Sequence, residues 1–212
     1  MTSRLAHLPR AAIVAGATLL GACASTAPVR YHSLFGTAAD AAVATSPAAF
    51  LIDVRPVTIP AQVDRPQLVV RDGGGVLPLE QERWIAPLAD EARAALSADL
   101  SRALAATDVA GQPRPAGAKV LNVKIDLRRF DSAPGAYAAV DAVWSVSVDE
   151  AGRPPLVCGS SIRESVGAGY DELVRGHRRA LAVLAGRIAS AARGYAADRR
   201  DGSCAEPQAV MR

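Results

Sequence analysis

Prolines at 56, 60 and 66 punctuate an otherwise strand-forming stretch, Phe50 to Arg71, FLIDVRPVTIPAQVDRPQLVVR. Proline has no backbone N–H and fixes φ, so this stretch cannot be helix or central strand throughout. The β-branched runs at its two ends, Leu51-Ile52-Asp53-Val54 and Leu68-Val69-Val70-Arg71, predict strand, rigid extended connector, strand. The connector holds the opposite charges Asp64 and Arg65 out on stiff backbone ahead of Pro66. Two roles fit such a pair: a docking element for a partner, or a local cap that holds Gln67 or a helix end.

The chain around this stretch follows a simple rhythm. Arg30 to Gly36 alternates and reads as a first strand, with His32 as a half-exposed strand histidine. Thr37 to Ala49 is alanine-rich without an apolar stripe and reads as a linker. Asp72-Gly73-Gly74-Gly75 is a turn, and Val76 to Leu79 returns as a short strand completing a hairpin with Leu68 to Val70. Glu82 to Ala106 carries Ile85, Leu88, Ala92, Leu96, Leu100 and Leu104 at helical spacing, with Trp84 at its start and Pro87 in its first turn.

Lys119 to Phe130 and Tyr137 to Asp149 alternate apolar and polar with period two, and Leu156 to Val166 returns after a turn. Phe130 breaks the alternation, which points to a bulge or a strand end. Asp171 to Arg193 is a second amphipathic helix, with Asp171 as its N-cap and His177 as a packed or boundary histidine on its apolar stripe. The order β, β, β hairpin, α, β, β, β, α predicts an α+β fold, a mostly antiparallel sheet with two amphipathic helices on one face.

The N-terminus reads as an export signal. Arg4, His7 and Arg10 precede a largely apolar run, Ala11 to Leu20, which is too short to span a bilayer. Leu20-Gly21-Ala22-Cys23 looks like a bacterial lipobox, so Cys23 is the expected lipidated residue. Residues 1–22 are then the signal peptide, 23–29 a tether, 30–197 one α+β domain and 198–212 a polar C-terminal tail. Ala24 and Ser25 after the cysteine, in place of aspartate, resemble outer-membrane sorting. Cys158 and Cys204 remain, and an oxidising compartment makes them a candidate disulfide.

No catalytic constellation stands out. The predicted mature chain has two histidines, His32 and His177, without zinc-ligand spacing, so neither a metal nor another cofactor is expected. Gly73 to Gly75 lack the Lys-Ser/Thr that a phosphate loop requires. Basic charge is scattered arginine, with lysine only at Lys119 and Lys124, and no dense basic run interleaved with aromatics suggests nucleic acid. Binding, not catalysis, is the expected work.

The wording of the proline-rich stretch adds a resemblance. Pro56-Val57, Ile59-Pro60 and Val63-Asp64-Arg65-Pro66-Gln67-Leu68-Val69 with Arg71, followed by Trp84-Ile85-Ala86-Pro87-Leu88, resemble the signature of PqiC-type ABC-transport auxiliary lipoproteins. The resemblance covers roughly Tyr31 to Tyr195 and is sharp from Val54 to Leu100. It implies an outer-membrane-anchored periplasmic subunit of an MCE-type lipid-transport system. Such a subunit would work without catalysis as a docking or ring component, with an MCE-domain periplasmic tunnel protein as partner and a homo-oligomeric ring as its assembly. Under it, Asp64, Arg65 and Pro66 are the docking candidates. Two other classes remain open, a stand-alone periplasmic lipid carrier and an envelope assembly or stress lipoprotein.

Overall fold

The computed structural model describes residues 28–36, 47–198 and Cys204. The signal peptide, Cys23, residues 37–46 of the linker reading and the tail other than Asp198 and Cys204 lie outside the described residues.

Among the described residues, seven strands and two helices are α+β in arrangement, and the strands sort into two mixed, mostly antiparallel sheets. The smaller sheet has the order β1-β4-β3, from β1 (Arg30–His32), β4 (Gly75–Trp84) and β3 (Gln67–Asp72). The larger has the order β2-β5-β6-β7, from β2 (Leu51–Val54), β5 (Val120–Ala133), β6 (Tyr137–Val148) and β7 (Leu156–Ser165). In each sheet one edge pairing is parallel, β1 with β4 and β2 with β5, and the rest are antiparallel.

Alternation decides the faces of the larger sheet. Leu121, Val123, Ile125 and Leu127 of β5 and Val140, Ala142, Trp144 and Val146 of β6 are all buried. Their neighbours Asn122, Lys124, Asp126, Asp141 and Ser145 form a polar opposite face. The register of β5 on β6 slips between Leu127 and Arg129, which leaves Arg128 as an extra residue. The bulge reverses parity, so Phe130 and Ser132 now point inward with Leu127. That is the break visible in the sequence, and β5 runs through it to Ala133.

The helices are α1 (Leu88–Leu104) and α2 (Tyr170–Ala196), which pack on each other. Helix α2 lies on β5, β6 and β7, and α1 reaches β2. Leu173, Leu181, Leu184 and Ile188 of α2 and Leu88, Leu96 and Leu100 of α1 fill the core.

Several boundaries differ from the sequence reading: β1 ends at His32 instead of Gly36, β4 runs on to Trp84 instead of Leu79, and both helices start elsewhere. Helix α1 begins at Leu88 with Pro87 at the N-cap, not at Glu82. Proline disfavours helical backbone in the residue before it, and Glu82 to Trp84 are taken by strand pairing with Arg30 to His32. Ile85 therefore leaves the helical stripe and stands exposed. Helix α2 begins at Tyr170, capped by the backbone of Gly169 at φ 91°, so Asp171 lies in the first turn instead of at the cap.

Candidate functional site

The proline-rich connector is extended only in its first half. Arg55 N–H donates to Val123 O and Thr58 N–H to Ile125 O, so the backbone continues beside β5 after β2 ends. The Thr58 hydroxyl donates to Asp126 Oδ1 at 2.7 Å. A turn follows, closed by Val63 N–H on Pro60 O at 3.0 Å, with the Val63 side chain buried beneath it. The turn projects Asp64, Arg65 and Pro66, all exposed, before β3 begins.

The second half of the sequence signature meets this turn in space. Trp84 N–H donates to Pro66 O at 2.8 Å, because the β3–β4 hairpin folds residues 66 and 84 side by side. Asp64 to Pro66 and Trp84 to Pro87 together line an open groove of about 370 Å³. Its walls mix the opposite charges of Asp64 and Arg65 with the apolar surface of Pro66, Ile85 and Pro87. Among the described residues, no ion pair or side-chain hydrogen bond engages Asp64 or Arg65. Gln67 donates instead to Glu80 at 3.3 Å, and the N-terminus of α1 carries no side-chain cap. The local capping role thus lacks both of its expected partners.

The groove is backed by a packed aromatic series. Buried Trp84 meets Phe130 edge to face at 6.1 Å, and Phe130 stacks on the His177 ring at 3.8 Å. His177 Nε2 lies 2.7 Å from the Ser132 hydroxyl. Burial pushes the His177 pKa down to about 3, with the more distant Asp131 carboxylate opposing weakly. His177 is a neutral core residue near pH 7.

Arg71, the last residue of the first half of the signature, ends on a buried carboxylate. Its Nε donates to Asp131 Oδ1 at 2.6 Å, while Arg129 Nη2 and the Tyr137 hydroxyl donate to Oδ2 at 2.9 and 3.1 Å. Burial pushes the Asp131 pKa up, but the hydrogen bonds from Arg71, Arg129 and Tyr137 outweigh it and hold the carboxyl below the ordinary range. This pair joins β3 of the small sheet to β5 of the large one.

A strap missed by the sequence reading crosses both helices beside the groove. His32 is buried, not half-exposed, with Nε2 at 2.5 Å from Glu82 Oε2 and Nδ1 at 3.6 Å from Asp171 Oδ1. Arg30 Nη2 donates to Asp171 Oδ2 at 2.9 Å. Glu91 Oε2 of α1 accepts from the Ser33 hydroxyl and from Leu34 N–H, both at 2.7 Å. Arg178 of α2 donates to Ser33 O at 2.5 Å and to Phe35 O at 3.1 Å. These partners lie 50 to 145 residues away along the chain, so no local pattern announces them.

Cys158 of β7 and Cys204 are joined by a disulfide with Cα atoms 5.5 Å apart. Among the described residues there is no group of three or more His, Cys, Asp or Glu able to hold a metal ion. Among the same residues, no helix is long and apolar enough to cross a membrane.

Residues 32–189 match the protein family described as the ABC-type transport auxiliary lipoprotein component. Two solved structures share the fold. One is an uncharacterized protein, 20% identical, covering 77% of this chain and 98% of its own, with a TM-score of 0.61. The other, from Xanthomonas campestris, is 13% identical and covers 75% of this chain and 92% of its own, with a TM-score of 0.56. At these identities the likeness concerns the fold alone. No match was found among the curated proteins.

Proposed function

The chain belongs to the ABC-type transport auxiliary lipoprotein component family, and from that premise we propose that it docks an MCE-type periplasmic tunnel protein at the outer membrane. Cys23 is the acylated anchor, residues 1–22 the removed signal, 23–29 the tether and 30–197 the single docking domain. The membership itself makes the chain an auxiliary component of an ABC-type transport system. The MCE partner, the outer-membrane location and the assembly of several copies into a ring belong to the proposal.

The observation that carries it is the groove between Asp64–Pro66 and Trp84–Pro87. Both halves of the signature line it, and both charges on its wall are left without partners among the described residues. The backbone beneath is fixed by Val63 N–H on Pro60 O and Trp84 N–H on Pro66 O, so little entropy is lost when the groove is filled. An open groove with a charged wall also differs from the enclosed apolar cavity that a stand-alone lipid carrier needs.

Charge reversal tests the groove. In the Asp64→Arg, Arg65→Asp double variant, stability should stay within about 0.5 kcal/mol of the parent, since these exposed side chains hold nothing in the fold. Binding to the MCE partner should weaken roughly tenfold or more. Calorimetric melting and co-purification measure the two effects. Unchanged binding at unchanged stability would remove the groove from the interface. Failure of the parent chain to bind any MCE protein would reject the transport partner altogether.

A further inference from the structure

The strap that holds the N-terminus also exposes an apolar surface. Nine large apolar side chains are exposed among the described residues, and three of them flank the root of the tether: Val29, Tyr31 and Ile85. Tyr31 and Ile85 are each about 60% exposed, at 59% and 60%. Tyr31 pairs with Arg83 across the parallel β1–β4 ladder, and Ile85 follows two residues later, so the two share one face. Ile85 N–H donates to His32 O at 2.9 Å, which carries the ladder past the strand end.

The chain outside the structure limits what can cover this face. Six peptide steps separate Cys23 from Val29, roughly 20 Å at full extension. A domain of this length has a radius of gyration of about 15 Å, so its diameter exceeds the reach of the tether. With acyl chains on Cys23 buried in a bilayer, the tether root stays near the headgroups, while the far side of the domain cannot turn to them.

The side chains at the root suit that position. Aromatic rings with neighbouring aliphatics settle at the boundary of headgroup and acyl chain. The strap is already ordered by Glu91, Arg178 and the Glu82–His32 pair, so presenting these side chains costs little further entropy.

We propose that Val29, Tyr31 and Ile85 form a membrane seat, a face that rests on the lipid bilayer entered by the anchor and fixes the domain in one orientation. The inference rests on acylation at Cys23. Because Ile85 also lines the docking groove, a partner in that groove sits beside the headgroups.

The test uses the full, processed chain in vesicles of phosphatidylethanolamine with a minor share of phosphatidylglycerol, brominated near the top of the acyl chains. The native Trp84 and Trp144 are buried and set the baseline. Tyr31→Trp and, independently, Ile85→Trp should each shift to the blue and lose roughly half of the added emission to bromine, as expected for side chains at the headgroup boundary. Val157→Trp, at a site of matched exposure (58%) on β7, should keep its emission.

Equal quenching at all three sites, or none at Tyr31→Trp and Ile85→Trp, overturns the seat. So does a blue shift at Tyr31→Trp that needs no lipid and grows with protein concentration, which assigns the face to a second copy. A shift that appears with the tunnel partner but not with vesicles assigns it to that protein and likewise overturns the seat. Intact mass separates the two premises: acyl mass with unquenched reporters sinks the seat alone, while absent acyl mass sinks the anchor and the seat with it.

Discussion

His177 shows what complete burial does to one side chain. Its pKa is held near 3, against 6.5 for an ordinary histidine. Between those values the unfolded chain binds a proton that the folded chain refuses. The stability this group contributes is therefore full above about pH 6.5 and falls as pH drops toward 3, by up to ~1.4 kcal/mol per pH unit. Asp131 titrates below the ordinary carboxylate range, so its own loss comes at the acid end of this window or beyond it. His177→Phe keeps a ring against Phe130, removes the proton, and leaves the Ser132 hydroxyl short of a partner at every pH. Urea midpoints should fall less steeply for the variant than for the parent between about pH 7 and pH 4; parallel pH profiles would contradict this. The place of His177 on an apolar stripe was legible in the sequence, and the packed or boundary reading followed from it. His32 was not legible, because the Glu82 and Asp171 carboxylates that bury it arrive from β4 and α2.

Helix α2 contains a matched pair of glycines with opposite demands. A Cβ at Gly176 would meet Val166 Cγ1 at 2.2 Å and Ala138 Cβ at 3.0 Å, whereas one at Gly186 would meet nothing within 4 Å. Alanine gains about 1 kcal/mol over glycine in a helix interior. At Gly186 nothing opposes the gain, so Gly186→Ala should raise stability by about 0.5–1 kcal/mol. At Gly176 the overlap must push apart helix and sheet around a stiff valine, and Gly176→Ala should lower stability by about 1–3 kcal/mol. Denaturant titration of both variants checks the pair, and equal signs would contradict the packing of α2 on β6. The helices and the long strands were readable because their periods are local. The first turn of the first predicted helix was not. Residues 82–84 have no strong strand signal, and it is β1, paired in the register Arg30 to Glu82 from far earlier in the chain, that draws them into a ladder. Period two also names no neighbour, so nothing local showed that the strands would divide between two sheets.

Across the whole molecule, the disulfide links the sequence beyond α2 to the β7 edge of the large sheet. It closes a loop of 46 residues, worth about 4 kcal/mol if the unfolded chain were fully free, with about 2–4 kcal/mol the usual range. Cys204→Ser should lower stability by about 2–4 kcal/mol, and reductant should lower the parent's melting temperature but not the variant's. A parent indifferent to reductant would speak against the bridge. The groove was half legible at this scale. Its two words, Asp64-Arg65-Pro66 and Trp84 to Pro87, stood out separately, and the hairpin that brings them together was expected from Gly73 to Gly75. That Ile85 would face outward was hidden, since the helical stripe claimed it. The parallel pairing of β1 with β4 bears on how the molecule carries tension. Force applied from the N-terminal side enters at Val29 along the axis of β1, so the β1–β4 hydrogen bonds lie across the pull and share it at once, as in shear, instead of parting one by one. Beyond the strand, Glu91 and Arg178 pass the load to the two longest elements of the core. The described chain is thus held like a rope belayed around two posts, with the hold placed ahead of the groove between Asp64–Pro66 and Trp84–Pro87.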